Sequence, residues 1–175
     1  METLVLTAIG DDRPGLVSAL SSTLSAHGAG WERSQMARLA GQFAGIVEVV
    51  VPSGRTDDLL RDLEQLRTEG LAVTATRTAV PPPAPAQRLA LTVVGADRPG
   101  IVAEISTVLS EHGVSIEELG TAVSEAPMAG GMLFEARAVL TLEGSDTEPL
   151  RAALEQVADE LMVDVELADE PAPQS

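Results

Sequence analysis

Two short stretches of this chain have the residue types of an anion- or zwitterion-binding turn. They read GDDRPG at residues 10–15 and GADRPG at residues 95–100. In each, a carboxylate (Asp12, Asp97), a guanidinium (Arg13, Arg98) and a glycine (Gly15, Gly100) stand together just ahead of an amphipathic segment. A glycine-rich turn that opens a helix exposes backbone N–H groups with no helical partner, and the helix dipole favours an anion there. Gly15 and Gly100 leave room for such an anion to approach. Arg13 or Arg98 can add a charge-assisted hydrogen bond, and Asp12 or Asp97 can meet an ammonium group. Each residue also has a purely structural reading. The aspartates can bond backbone N–H groups of the turn, the glycines can allow a helix to pack closely on a strand, and the arginines can be solvated or paired with acids. His27 and His112 are the only histidines. They fall at equivalent helix ends and read as structural.

The turns belong to a longer repeat. LVLTAIGDDRPGLVSALSSTLSAHGAGWE aligns without gaps on LALTVVGADRPGIVAEISTVLSEHGVSIE, and about half the positions are identical. Each copy starts with a short β-branched run, Leu4–Ile9 and Leu89–Val94, that reads as a strand. After the turn, Leu16, Leu20 and Leu24 share one helical face, as do Ile101, Ile105 and Leu109. Pro14 and Pro99 suit the first turn of these helices. Gly28 and Gly113 suit the position just past their ends. Two strands follow. GIVEVVVP supplies one in the first copy. In MLFEARAVLTL of the second, Phe134, Ala136, Ala138, Leu140 and Leu142 alternate with Glu135, Arg137 and Thr141. A second helix is lined by Leu59, Leu63 and Leu66, or by Leu150, Leu154, Val157 and Leu161. Asp57 and Asp58, like Asp146 and Glu148, lie near its positive end. LAVTATRTA and MVDVELA close the units. The order is βαββαβ, twice. The expected fold is α+β, with two ferredoxin-like units, each an antiparallel four-stranded sheet with both helices on one face. The expected bounds are a first domain at 1–79, a proline-rich linker at 80–87, a second domain at 88–169 and a disordered tail at 170–175.

Composition narrows the function classes. Of 175 residues, 45% are hydrophobic and the net charge is −16, so direct contact with nucleic acid is disfavoured. There is no Cys, every basic residue is Arg, and there is no Tyr. That removes disulfides, thiolate chemistry, Schiff-base lysines and Walker-type phosphate loops. No nucleophile elbow or metal-spaced cluster is found, so neither an enzyme nor a cofactor is expected. The N-terminus lacks a signal-peptide pattern, and no apolar run approaches the roughly 20 residues of a membrane span. The expectation is a cytoplasmic protein with no membrane partner.

The strand–DRPG–helix opening within a βαββαβ unit resembles the ACT domain, a regulatory module that commonly binds small amino acids. MARLAGQFAGI (Met36–Ile46) and EAPMAGGMLFEA (Glu125–Ala136) are similar to segments of the stand-alone tandem-ACT group typified by the glycine cleavage system transcriptional repressor. The resemblance covers residues 3–169. It implies sheets paired side by side, a homodimer, a small amino-acid ligand near the first strand–helix loop, and a protein partner in transcriptional regulation. Amino-acid-binding ACT domains often carry Asn just after the first helix. Gly30 occupies that position in the first copy and Ser115 in the second, so the second copy is the better candidate. The implied ligand-binding set is Asp97, Arg98, Gly100 and Ser115, with Asp12, Arg13 and Gly15 as the first copy's counterparts. The longer loop APMAGGM, residues 126–132, can close over a ligand or a partner. The other readings are a ligand-free ACT scaffold and an allosteric modulator of a metabolic enzyme.

Overall fold

The computed structural model describes residues 1–79, 86–126, 130–144 and 146–170. The chain divides into two compact units, residues 1–81 and 82–175. The first contains β1 (Glu2–Asp11), α1 (Leu16–Ala26), β2 (Gly30–Leu39), β3 (Gln42–Val51), α2 (Thr56–Gln65), a 3₁₀ turn (Leu66–Glu69) and β4 (Leu71–Thr78). The second contains β5 (Ala86–Ala96), α3 (Ile101–Glu111), β6 (Val114–Glu125), β7 (Met132–Glu143), α4 (Glu148–Leu161) and β8 (Val163–Asp169). Each unit is the expected βαββαβ fold. The sheets run β2-β3-β1-β4 and β6-β7-β5-β8, with every pairing antiparallel.

Period-two burial puts Leu4, Leu6 and Ala8 of β1 under the helices, and Leu89, Leu91 and Val93 of β5 likewise. The anticipated helical stripes meet them: Leu16, Leu20 and Leu24 on α1, and Ile101, Ile105 and Leu109 on α3, are all buried. So is the β7 row from Phe134 to Leu142. Leu66 is buried too, but from the 3₁₀ turn after α2. The central strands extend past their apolar runs because the ladder pairs polar flanks as well, such as Glu2 with Val51 and Asp11 with Gln42. β5 begins at Ala86, two residues ahead of the anticipated second domain. Linker residues 80–85, tail residues 171–175 and loop residues 127–129 lie outside the described residues.

The helix starts differ from the sequence reading. Pro14 and Pro99 precede the helices, which begin at Leu16 and Ile101. Gly15 (φ 97, ψ −8) and Gly100 (φ 102, ψ −15) are the N-caps. Arg–Pro–Gly is therefore a type II turn, with Pro at its second position and a positive-φ glycine at its third. The helix ends match expectation, with Gly28 and Gly113 at φ 67 and 68. In the first unit Gly28 N donates to Ser25 O (3.0 Å) and Ala29 N to Leu24 O (3.0 Å), which is a Schellman motif.

Candidate functional site

The DRPG turns are anchored on both sides. Asp12 N donates to Gly41 O (2.9 Å) and Asp97 N to Met132 O (2.8 Å), tying each turn to the start of its neighbouring strand. The first helical bonds run from Ala19 N to Gly15 O (2.8 Å) and from Glu104 N to Gly100 O (2.9 Å). Neither helix has a side-chain cap, so the N–H groups of the first turn remain available above it.

The glycines divide their work in a way the sequence does not reveal. Gly15 and Gly100 are required by their positive φ. A Cβ on Gly15 would meet nothing within 4 Å, so it neither packs helix on strand nor clears crowded space. Close approach belongs to the first glycine of each motif. A Cβ on Gly10 would lie 2.2 Å from Gly70 O, and one on Gly95 2.5 Å from Val163 Cγ1.

The two turns present different side chains. Asp12 accepts a hydrogen bond from Arg38 Nη1 at 3.2 Å. Arg38 stands opposite Phe43 on β3, and the matching position opposite Phe134 on β7 is Val123. Among the described residues, the Asp97 and Arg98 side chains therefore have no partner. Arg98 is partly buried, and its Nε is sealed from solvent and unbonded. Arg13 is exposed and lies against Gly70. Neither aspartate carboxylate bonds its own turn. Glu104 Oε1 lies 3.3 Å from where a Cβ of Gly100 would stand, so the second turn has a further carboxylate where the first unit has Ala19.

Ser115 is not brought to this turn. It pairs with Thr141, which pairs with Arg88 near the start of β5, while Asp97 follows the end of that strand. Nine residues of strand separate the two levels, about 30 Å at 3.3–3.4 Å per residue. Gly30 is equally far from its turn. Around Ser115 is a group the sequence did not single out. Arg88 Nη1 donates to Glu117 Oε2 (2.5 Å), and the Thr141 hydroxyl donates to Glu117 Oε1. The register shift between Ile116 and Glu118 turns Glu117 onto this face. A one-residue bulge leaves no signal in the pattern Val-Ser-Ile-Glu-Glu-Leu.

The histidines also part company. His27 is 8% exposed, and its Nε2 donates to Asp62 Oδ2 at 2.8 Å, joining the end of α1 to α2. His112 Nδ1 instead bonds Val108 O at 2.8 Å on its own helix. Among the described residues no group of three His, Asp or Glu is placed to hold a metal ion, and no helix is long and apolar enough to cross a membrane. The core space beneath α3 is only ≈ 20 Å³. That space is too small for an amino acid.

A family profile described as ACT domain matches residues 2–75 and 87–168. A UPF0237 protein of Methanopyrus kandleri is 42% identical over 78 residues, covering 45% of this chain and 82% of that protein. The glycine cleavage system transcriptional repressor of Escherichia coli is 32% identical over 120 residues, covering 66% of this chain and 62% of the repressor. Among solved structures, a protein of unknown function from Galdieria sulphuraria superposes with a TM-score of 0.87 at 30% identity, over 97% of this chain and 99% of that one. A candidate glycine cleavage system transcriptional repressor superposes with a TM-score of 0.70 at 16% identity, over 95% of both chains, and so shares the fold. With both units matched by the profile, the chain belongs to the ACT domain family and carries two ACT domains in tandem.

Proposed function

We propose that this chain is a regulatory protein that binds a small amino acid, glycine or serine-like, at the second unit's DRPG turn. In this reading it works as a homodimer and controls a protein partner in the transcriptional regulation of amino-acid metabolism. The observation that carries the reading is the Asp97–Arg98 pair, without a partner among the described residues, beside an uncapped helix start. A zwitterion complements it: the carboxylate turns to Arg98 and the free N–H groups, and the ammonium to Asp97 and Glu104. The first unit's Asp12 is already engaged by Arg38, which favours one ligand per chain. Ser115 lies too far from the turn to share in the same unit's site and would contribute only across an interface. Kinship with the repressor supports a transcriptional output, and the net charge of −16 supports action through a partner rather than on DNA.

Titration calorimetry with glycine, serine and alanine tests this reading. Asp97→Asn and Arg98→Gln should each weaken binding about tenfold or more, as expected for loss of a charge-assisted hydrogen bond. Asp12→Asn should change affinity less than about twofold. If the parent protein binds no amino acid, the reading fails. Gly100 is unsuitable for this test, because any side chain there strains a backbone at φ 102.

A further inference from the structure

In each unit the helices cover one face of the sheet, the side to which Leu4, Leu6 and Ala8 of β1 or Leu89, Leu91 and Val93 of β5 point. Strand alternation sends Thr7 and Ile9, or Thr92 and Val94, to the other face. The ladders set matching rows of side chains across it. In the first unit one row is Ala72–Ile9–Ala44–Ala37 and the next is Thr74–Thr7–Ile46–Gln35. At the same places the second unit has Asp164–Val94–Glu135–Ala122 and Glu166–Thr92–Arg137–Gly120. The first unit's two rows hold no charge, and the second unit's hold four. Ile9 and Ile46 are 49% and 50% exposed, and Val5 and Val50 continue the apolar surface on the same side. The charges that flank these rows are already engaged. Glu48 accepts from Arg33 Nε at 2.6 Å, and Asp11 accepts from Gln42 Nε2 at 2.7 Å. In the second unit the exposed Leu119 and Val123 lie on the helix side instead, opposite Ala138 and Phe134.

We propose that this uncovered face of the first unit stacks on the same face of a second copy, sheet on sheet, with the sheet edges taking no part. The proposal rests on the homodimer reading above and assigns it a surface. A second copy fits the face for three reasons. The first is charge. Two chains of net charge −16 repel each other, and they approach with least opposition where both present uncharged rows. The second is shape. Stacked sheets lie about 10 Å apart and interdigitate their facing side chains. Ile9 and Ile46 supply the large members, and Ala37, Ala44, Ala72 and Thr74 the small ones between which they can seat. The third is area. Four strands about 4.8 Å apart, each contributing about eight residues at about 3.3 Å, present about 500 Å². Two copies therefore bury about 1,000 Å², the size at which a specific interface becomes stable.

Sedimentation equilibrium of the full chain at tens of micromolar tests the surface, with circular dichroism melts to verify folding. The parent should self-associate. Ile46→Arg and Ala44→Glu each bring in the residue type that the second unit carries at the matching place, Arg137 or Glu135, on a ladder of the same register. Both positions lie on β3, an inner strand, so neither change touches a sheet edge. Each should raise the dissociation constant about tenfold or more, because stacking would bury an unpaired charge. Ile9→Thr removes apolar surface, adds no charge and keeps a β-branched residue. It should raise the constant about threefold or more, and it decides the matter if the charged variants fail to fold. A monomeric parent would overturn the homodimer and this surface together. Self-association unmoved by all three variants would leave the homodimer standing and overturn the surface.

Discussion

Asp12 in the first unit is held by Arg38, while Asp97 at the same point of the second unit has no partner among the described residues. The contrast extends across the two units. Ion pairs Arg33–Glu48, Arg38–Asp12, Arg61–Asp58, Arg77–Asp57 and His27–Asp62 knit the first unit's charges together. The second shows one, Arg88–Glu117, among the described residues, although it holds seventeen of the twenty-seven acids. Their backbones nonetheless obey the same constraints, with a close-approach glycine at 10 and 95, a positive-φ glycine at 15 and 100, and a helix-ending glycine at 28 and 113. Duplication has kept what the backbone requires and let the side chains diverge. One unit pairs its own charges; the other, among the described residues, leaves the carboxylate and guanidinium of its turn unpaired.

The largest test of this shared backbone compares Gly10→Ala with Gly95→Ala. At Gly10 the new methyl meets a backbone carbonyl at 2.2 Å, which cannot turn aside. At Gly95 the nearest atom is a Val163 methyl at 2.5 Å, which a change of rotamer can move, with the Val163 Cα and Cβ behind it at 3.0 Å. Calorimetric melts should show Gly10→Ala costing about 3 kcal/mol and Gly95→Ala about 1–2 kcal/mol. Equal losses would mean that the two strand crossings are equally rigid and would erase this difference between the units.

A smaller effect belongs to the histidines. Asp62→Ala removes the acceptor of buried His27 and should cost about 1 kcal/mol in chemical denaturation, because Asp62 itself is half exposed. Its counterpart in the second unit is Ala153, one residue before Leu154 as Asp62 is one before Leu63. Ala153→Asp should stay within about 0.5 kcal/mol of the parent, since His112 already bonds Val108 O. A matching gain there would show that the second unit lacks only the acid.

The smallest effect sharpens a local difference. Gly70 (φ 80) and Met162 (φ 54) precede the last strands of the two units. Met162 is 81% exposed, so it loses little packing on truncation. Met162→Gly should raise stability by about 0.5 kcal/mol, the left-handed strain relieved less the greater freedom of glycine in the unfolded chain. A loss of stability in the thermal melt would assign the Met162 side chain a contact that matters.

Most of the fold was legible because each element carries its own period. Leu16, Leu20 and Leu24 mark a helix face, and Phe134 to Leu142 mark a strand face, whatever surrounds them. Gly28 and Gly113 were legible for the same reason, since a helix end is settled within a few residues. The starts at Pro14 and Pro99 were misplaced by two residues because Pro suits both a first helical turn and the second position of a type II turn. The φ of Gly15 and Gly100 distinguishes them. The candidate site was half legible. Asp97, Arg98 and Gly100 are neighbours in sequence and remain neighbours in space. Ser115 follows a helix that returns the chain to the far end of the sheet, and no local pattern records that distance.

By itself, the sequence determined the duplicated βαββαβ order, the inward rows of Leu and Val, the glycine-bounded helices and the absence of cysteine and lysine chemistry. Each of these depends on residue type or on spacing within one or two turns. Only the tertiary structure decided that Arg38 reaches Asp12 while Val123 stands at the matching place beside Asp97, that a bulge turns Glu117 toward Arg88, and that His27 finds Asp62. These facts depend on strand register and on which elements end up adjacent. Register is set by the long-range closing of the sheet around its core, where a shift of one residue exchanges every inward side chain for an outward one.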